Sequence, residues 1–186
     1  MKTQSISPVQ SGFTLIELMI VVTIASILLS LTIPSLTSLV DSVRLSSATN
    51  SFMSSMRLAR SESVRRGGRI GMCKSFDGTS CSGIGGWEQG WIVFQDANGN
   101  GDLDPTEKLV ERVESIGSSV RFTGNQNVAR YIGYVSGGPA RTATGAMLAG
   151  TLTMCHVSGS SADGRQIVIS SGGRARSQPT RQGQCV

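Results

Sequence analysis

Three groups of residues in this chain have types and spacing that could do chemistry: an isolated carboxylate, an acidic loop and a row of arginines. Glu17 is the only charge in FTLIELMIVVTIASILLSLTI, the run of twenty-one residues from Phe13 to Ile33. A carboxylate in such surroundings costs about 2.5 kcal/mol or more, so this one needs a cationic partner. Near the other end, GGRARSQPTRQGQCV sets Arg174 and Arg176 two residues apart behind Gly172 and Gly173. In an extended segment both side chains project to one side. The glycines allow a sharp turn or a close approach of backbone to phosphate, and the planar guanidinium fork matches phosphate oxygens. Ser177 and Gln178 add hydrogen-bonding groups, and Arg181 extends the row. Arg165, Arg141 and Arg130 rank second, because the faces they occupy are not legible. The segment holds no aromatic residue on which an unpaired base would stack, which favours a duplex backbone as ligand. An isolated Arg-x-Arg, by contrast, is usually only a solvated feature.

The loop from Asp96 to Glu107, DANGNGDLDPTE, satisfies the written calcium-loop pattern, with Glu107 in the twelfth place. A strand leads into it where that pattern requires a helix, and Asp, Asn and Gly are also the residues a hairpin connection uses for its turn conformations. A structural loop is therefore preferred, and no cofactor is expected. Cys73, Cys81, Cys155 and Cys185 form an even set, consistent with disulfides outside the cytoplasm. The preferred pairs are Cys73–Cys81, closing a small loop, and Cys155–Cys185, tying the C-terminal segment to a strand. Each stabilises by about 2.5–4 kcal/mol in the chain-entropy picture. There is no CxxC pair, and the one histidine, His156, adjoins Cys155, so no zinc site is expected. Neighbours on a strand point to opposite faces, so these two form no catalytic dyad. With no nucleophile motif and no Gly-rich phosphate loop, the chain does not read as an enzyme.

The elements that position these groups follow from periodicity. As a helix, the apolar run spans roughly 30 Å, the thickness of a bilayer core. The leader Met1 to Gly12 is polar, with Lys2 its one charge. Its small residue precedes the apolar run, where a secretory signal would place small residues after it. Cleavage there leaves the apolar helix on the mature chain. Beyond Pro34, Leu36, Leu39, Val40, Val43, Phe52, Met56, Ala59 and Val64 recur at a helical period. Arg65, Arg66 and Gly67-Gly68 make a helix stop. Leu45 and the stretch Ser46 to Asn50 weaken the stripe and predict a loosely packed middle. Strand candidates follow at Arg69–Lys74, Gly90–Gln95, Lys108–Val113, Val120–Thr123, Ala129–Tyr134, Gly150–His156 and Gln166–Ser170, separated by Gly, Asn and Ser clusters.

The expected fold class is α+β: one long N-terminal helix on an antiparallel sheet. The expected segments are a leader (1–12), a transmembrane half-helix (13–34), an amphipathic half-helix (35–68), a β-rich domain (69–170) and an arginine-rich tail (171–186). The net charge of +5 hides a division. Glu88 to Glu114 carries seven acids against Lys108 and Arg112, whereas Ser115 to Val186 carries seven arginines and one acid, Asp163. A local basic surface attracts polyanions even on a mixed protein.

SGFTLIELMIVVTIASILLSLTIPSL resembles the N-terminus of a type IV prepilin or a type II secretion pseudopilin. That resemblance implies cleavage by a prepilin peptidase between Gly12 and Phe13, methylation of the new N-terminus, and a helix-kinking role for Pro34. It also implies that Glu17 pairs with the N-terminal ammonium of a neighbouring subunit in a filament. NSFMSSMRLARSESVRR and GWIVFQDANGNGDLDPTEKLV are similar to the helix end and central hairpin of GspH/FimT minor pilins. GGRARS resembles the Gly-Arg-x-Arg element of FimT proteins, which bind DNA during natural transformation. By resemblance Gly173, Arg174 and Arg176 become the DNA-contact residues; Arg181 and Arg165 are added as candidates on their charge alone. The implied partners are double-stranded DNA, other major and minor pilins, the prepilin peptidase and the inner membrane. The implied location is a single-pass inner-membrane protein with a periplasmic domain, later carried in a surface pilus. A structural minor pilin or pseudopilin that primes filament assembly without binding DNA is the alternative; an adhesin for a surface polyanion is a weaker third.

Overall fold

The computed structural model describes residues 12–157 and 163–181. The chain divides into two compact units, Met1–Leu39 and Val40–Val186, and one helix, α1 (Leu15–Arg66), contributes to both. Its start is a capping box. The Thr14 amide donates to Glu17 Oε2 at 2.9 Å, and the Glu17 amide donates back to Thr14 Oγ1 at 3.3 Å, which satisfies two of the orphan donors of the first turn. Leu15, Ile16, Leu18, Met19, Ile24 and Leu29 are all exposed. The hydroxyls of Thr23, Ser26 and Ser30 turn inward and donate to Met19, Val22 and Ile27 carbonyls, so this apolar stretch offers few polar groups of its own to solvent. Among the described residues no helix is long and apolar enough to cross a membrane. The predicted stop holds: α1 ends on Arg65 and Arg66, and Gly67 takes φ +64°.

Along α1 the expected stripe is buried only in part: Phe52, Met56 and Ala59 are buried as expected, while Leu39, Val40, Val43 and Val64 are exposed. Leu45, Ala48, Thr49, Ser55 and Ser63 are buried in addition. The spacing is helical throughout. It was hidden in part because three of these positions are hydroxyl residues, and each has a bonding partner. Thr49 and Ser63 donate to their own helix at Leu45 and Arg60, and Ser55 Oγ accepts the Trp91 indole N–H at 3.0 Å. Within the stretch Ser46 to Asn50, Ala48 and Thr49 are buried, whereas Ser47 and Asn50 are exposed.

Two antiparallel sheets complete the second unit where the sequence suggested one. The first has the order β3 (Leu109–Val113), β2 (Trp91–Gln95), β1 (Ile70–Lys74), β5 (Tyr131–Tyr134), β6 (Ala140–Arg141). The second runs β4 (Val120–Gly124), β7 (Gly150–His156), β8 (Asp163–Ile169), β9 (Ala175–Arg181). The predicted strands all form, and β6 and β9 are additions. The fold class is α+β, a long N-terminal helix with antiparallel sheets, as expected. Its core centres on Phe52, whose ring meets Trp87 at 5.1 Å, Trp91 at 5.1 Å and Phe122 at 4.7 Å, all edge-on. Such contacts add about 0.5–1.5 kcal/mol each beyond area burial. Cys73 and Cys81 are disulfide-bonded as predicted. Cys155 is also disulfide-bonded; its predicted partner Cys185 lies outside the described residues.

Phe52→Ala is expected to lower unfolding free energy by about 3–5 kcal/mol, measured by denaturant titration of the oxidised protein.

Candidate nucleic-acid interface

The expected tail is a strand. β9 pairs with β8 along its whole length, from Ile169↔Ala175 to Asp163↔Arg181, and forms the edge of the second sheet. The sequence concealed this because ARSQPTR is polar and contains Pro179, a residue confined to edge strands and bulges because it cannot donate to a ladder. The β8–β9 turn is tight: the Gly173 amide donates to the Ser170 carbonyl at 2.8 Å and the Ser170 amide to the Arg174 carbonyl at 3.0 Å. Gly173 sits at φ +78°, and a Cβ there would lie 2.5 Å from the Gly138 carbonyl oxygen and 3.0 Å from the Ala140 amide. It is buried. Gly173 seats this turn against the β5–β6 turn and so positions Arg174.

Alternation along β8 and β9 sorts the other candidates. Ile167 and Ile169 are buried toward the helix, with Ala175 packed against the same cluster. Arg165 shares that side and donates from Nη2 to Ser46 Oγ of α1 at 3.1 Å. Arg176 and Gln178 project from the opposite, outer side, and Arg174 continues that row through its pairing with Ser170. Arg174 and Arg176 are exposed. The structure thus brings Arg174 and Arg176 together and separates Arg165 from them, because in this register the odd-numbered residues of both β8 and β9 face the core and the even-numbered ones face outward. Arg181 is the last residue of β9. Arg130 is paired with Asp102, and Arg141 is half-buried on β6.

The outer face of the second sheet is basic and polar. In register across it lie Arg121 beside Cys155, then Thr123, Thr153, Gln166 and Gln178, then Thr151, Val168 and Arg176. None is acidic. Gln178 Nε2 donates to Gln166 Oε1 at 3.3 Å. Arg121 is exposed on β4 and was missed from the sequence. Its strand was legible, but its register against β7 was not.

The acidic loop uses its oxygens internally. Glu107 accepts the Ala97 and Asp104 amides at 2.7 and 3.2 Å, and Asp104 Oδ2 accepts the Asn98 and Asn100 side-chain amides at 2.7 and 2.9 Å. Asp96 is buried and accepts the Tyr131 hydroxyl at 2.5 Å. Burial and that carboxylate together push the Tyr131 pKa well above its ordinary value. Among the described residues no group of three or more His, Cys, Asp and Glu is placed to hold a metal ion. Elsewhere, burial beneath the Cys73–Cys81 loop depresses the Lys74 ammonium, whose Nζ donates to the Gly85 carbonyl at 2.6 Å.

Comparison with known proteins follows this geometry. The family model of the type II transport protein GspH matches residues 48–173, and the prokaryotic N-terminal methylation motif matches residues 8–33. Among solved structures, the type IV minor pilin FimU of Pseudomonas aeruginosa is similar with TM-score 0.50 and 17% identity, covering 76% of this chain and 92% of that one. The minor pseudopilin EpsH of the Vibrio cholerae type 2 secretion system is similar with TM-score 0.50 and 11% identity, covering 73% and 96%. At these identities the likeness is one of fold. No curated protein matches the chain. The family match stops at Gly173, so Arg174 and Arg176 lie beyond it.

Gly173→Ala is expected to destabilise the protein by about 1–3 kcal/mol, combining a positive-φ penalty with a backbone clash. Thermal or chemical denaturation checks it. Gly172→Ala, with open space around its Cβ, is the control expected to change little.

Proposed function

The chain belongs to the GspH family of type II transport proteins, and from that premise we propose that it is a minor type IV pilin that binds extracellular double-stranded DNA without sequence specificity. The role served is DNA uptake in natural transformation. One observation carries the reading: Arg174 and Arg176 stand exposed, side by side, on the outer face of an edge strand, where the in-register residues beside them on that face, Gln166, Val168 and Gln178, include no carboxylate. Guanidinium groups so placed neutralise phosphates and carry no base code. Binding of this kind is weak, salt-sensitive and indifferent to sequence, which is what capture of arbitrary DNA requires.

The N-terminal motif supports the rest. Prepilin peptidase cuts between Gly12 and Phe13 and methylates Phe13, and the apolar helix then anchors the chain in the inner membrane by a single pass, with the second unit in the periplasm. In the filament Glu17 meets the N-terminal ammonium of a neighbouring pilin; in the isolated chain it caps its own helix at Thr14. A Cys155–Cys185 bridge would hold the end of β9 to the sheet. The protein acts as a filament subunit with no catalytic role. A second reading, a structural minor pilin or pseudopilin that primes assembly, is favoured by the fold likeness to FimU and EpsH and by the end of the family match before Arg174.

Two measurements decide between them. Full-length protein in neutral detergent is expected to bind duplex DNA of unrelated sequences equally, and Arg174→Gln/Arg176→Gln to reduce the slope of log affinity against log salt by about 2. Equal binding by the double variant removes these residues as receptor and leaves the structural reading. Intact-mass analysis of protein from cells that express a prepilin peptidase is expected to show a chain beginning at N-methylated Phe13; an unprocessed Met1 chain would reject the processing.

A further inference from the structure

The edge strand has a second side. Where Arg176 faces outward, the next residue, Ser177, faces a polar pocket of about 170 Å³ between β8–β9 and the helix. Ser46, Thr49 and Asn50 of α1, Arg165 of β8 and Ser177 of β9 line it, with no carboxylate among them. Arg165 is half-buried, and among the described residues the one hydrogen bond it makes goes to Ser46 Oγ. A guanidinium has five N–H donors. Thr49 is already committed to the Leu45 carbonyl, whereas Asn50 and Ser177 make no side-chain hydrogen bond among the described residues. A cation in this position has lost part of its hydration without gaining an anion among the described residues.

We infer that this pocket is an oxyanion subsite that takes a phosphate group. Arg165 supplies the charge and a bidentate pair of donors, and Ser46, Asn50 and Ser177 supply neutral donors around it. The cavity is large enough for a tetrahedral anion and accompanying water. Pro179 leaves one position of the β9 edge without an N–H, which disfavours another strand there and leaves the edge to a ligand. A nucleic-acid backbone that follows the edge meets Arg174 and Arg176 on one side and this pocket on the other. The source of the phosphate rests on the DNA reading above; the pocket's preference for an oxyanion does not.

Full-length Arg165→Gln, Arg165→Lys and Ser177→Asp proteins in neutral detergent test the subsite, with inorganic phosphate as one probe and duplex DNA as the other. Phosphate, against chloride at matched ionic strength, is expected to raise the Tm of the wild type, of Arg165→Lys and of Arg174→Gln/Arg176→Gln, but not of Arg165→Gln or Ser177→Asp. Arg165→Gln is also expected to lower the salt slope of duplex binding by about 1, with Arg165→Lys restoring it. Ser177→Asp keeps the Arg165–Ser46 bond and puts a carboxylate in the pocket, so it serves if Arg165→Gln fails to fold. The subsite is overturned if phosphate raises the Tm of Arg165→Gln or Ser177→Asp as much as that of the wild type. It is equally overturned if phosphate leaves the wild type unmoved and Arg165→Gln keeps the full salt slope. If the wild type binds no duplex but phosphate still acts through Arg165, the DNA reading fails and the pocket stands as a site for free phosphate.

Discussion

Phe52 is the contact on which the second unit depends. One ring, carried by the helix, touches Trp87 and Trp91 before and on the first sheet and Phe122 on the second. The helix and both sheets therefore share a single buried point, and the orientation of either sheet on the helix follows from how its aromatic edge meets that ring. The hydroxyl residues around it serve the same end. Ser55 accepts the Trp91 N–H where a larger residue would hold the strand off, and small side chains at Ala48, Ala59 and Ser63 let the sheets approach the helix closely.

The arginine edge inherits its rigidity from this arrangement. A solvated tail with the same letters would lose conformational freedom on binding a phosphate backbone. A strand registered along seven residues with β8 has already lost it in folding. Gly173 adds a second anchor by fitting against the β5–β6 turn, so the hairpin that presents Arg174 is held from both sheets. Exposed charges of this kind are individually weak, and their use lies in being several on one face with nothing acidic between them. Arg121 widens that face to the far edge of the sheet.

At the other end, Glu17 is accommodated by its own helix terminus. Glu17 accepts the Thr14 amide and hydroxyl, both at the positive end of the helix dipole. The hydroxyls of Thr23, Ser26 and Ser30 are satisfied by their own helix. Little polar character remains on this stretch apart from the terminus itself, where a filament neighbour would bring its ammonium.

The sequence alone determined whatever depends on local order. The apolar run from Phe13 to Ile33 was legible as helix because it is too long for a strand and holds no Gly or Pro to turn it, and α1 does begin within it, at Leu15. Gly67 ended the helix because few residues other than glycine adopt its φ, and β-branched runs such as Trp91–Gln95 had to be strands. The Cys73–Cys81 pair was legible because the loop between them is short. What depends on pairing was not legible. The buried stripe of α1 was legible at Phe52, Met56 and Ala59 but incomplete, because Thr49, Ser55 and Ser63 look solvated until their partners are seen. β9 read as a tail because an edge strand needs no apolar alternation when one side meets solvent. Only the tertiary register could put Arg176 outward and Arg165 inward, since a strand's side-chain direction reverses with a one-residue shift and nothing in the local sequence fixes that shift.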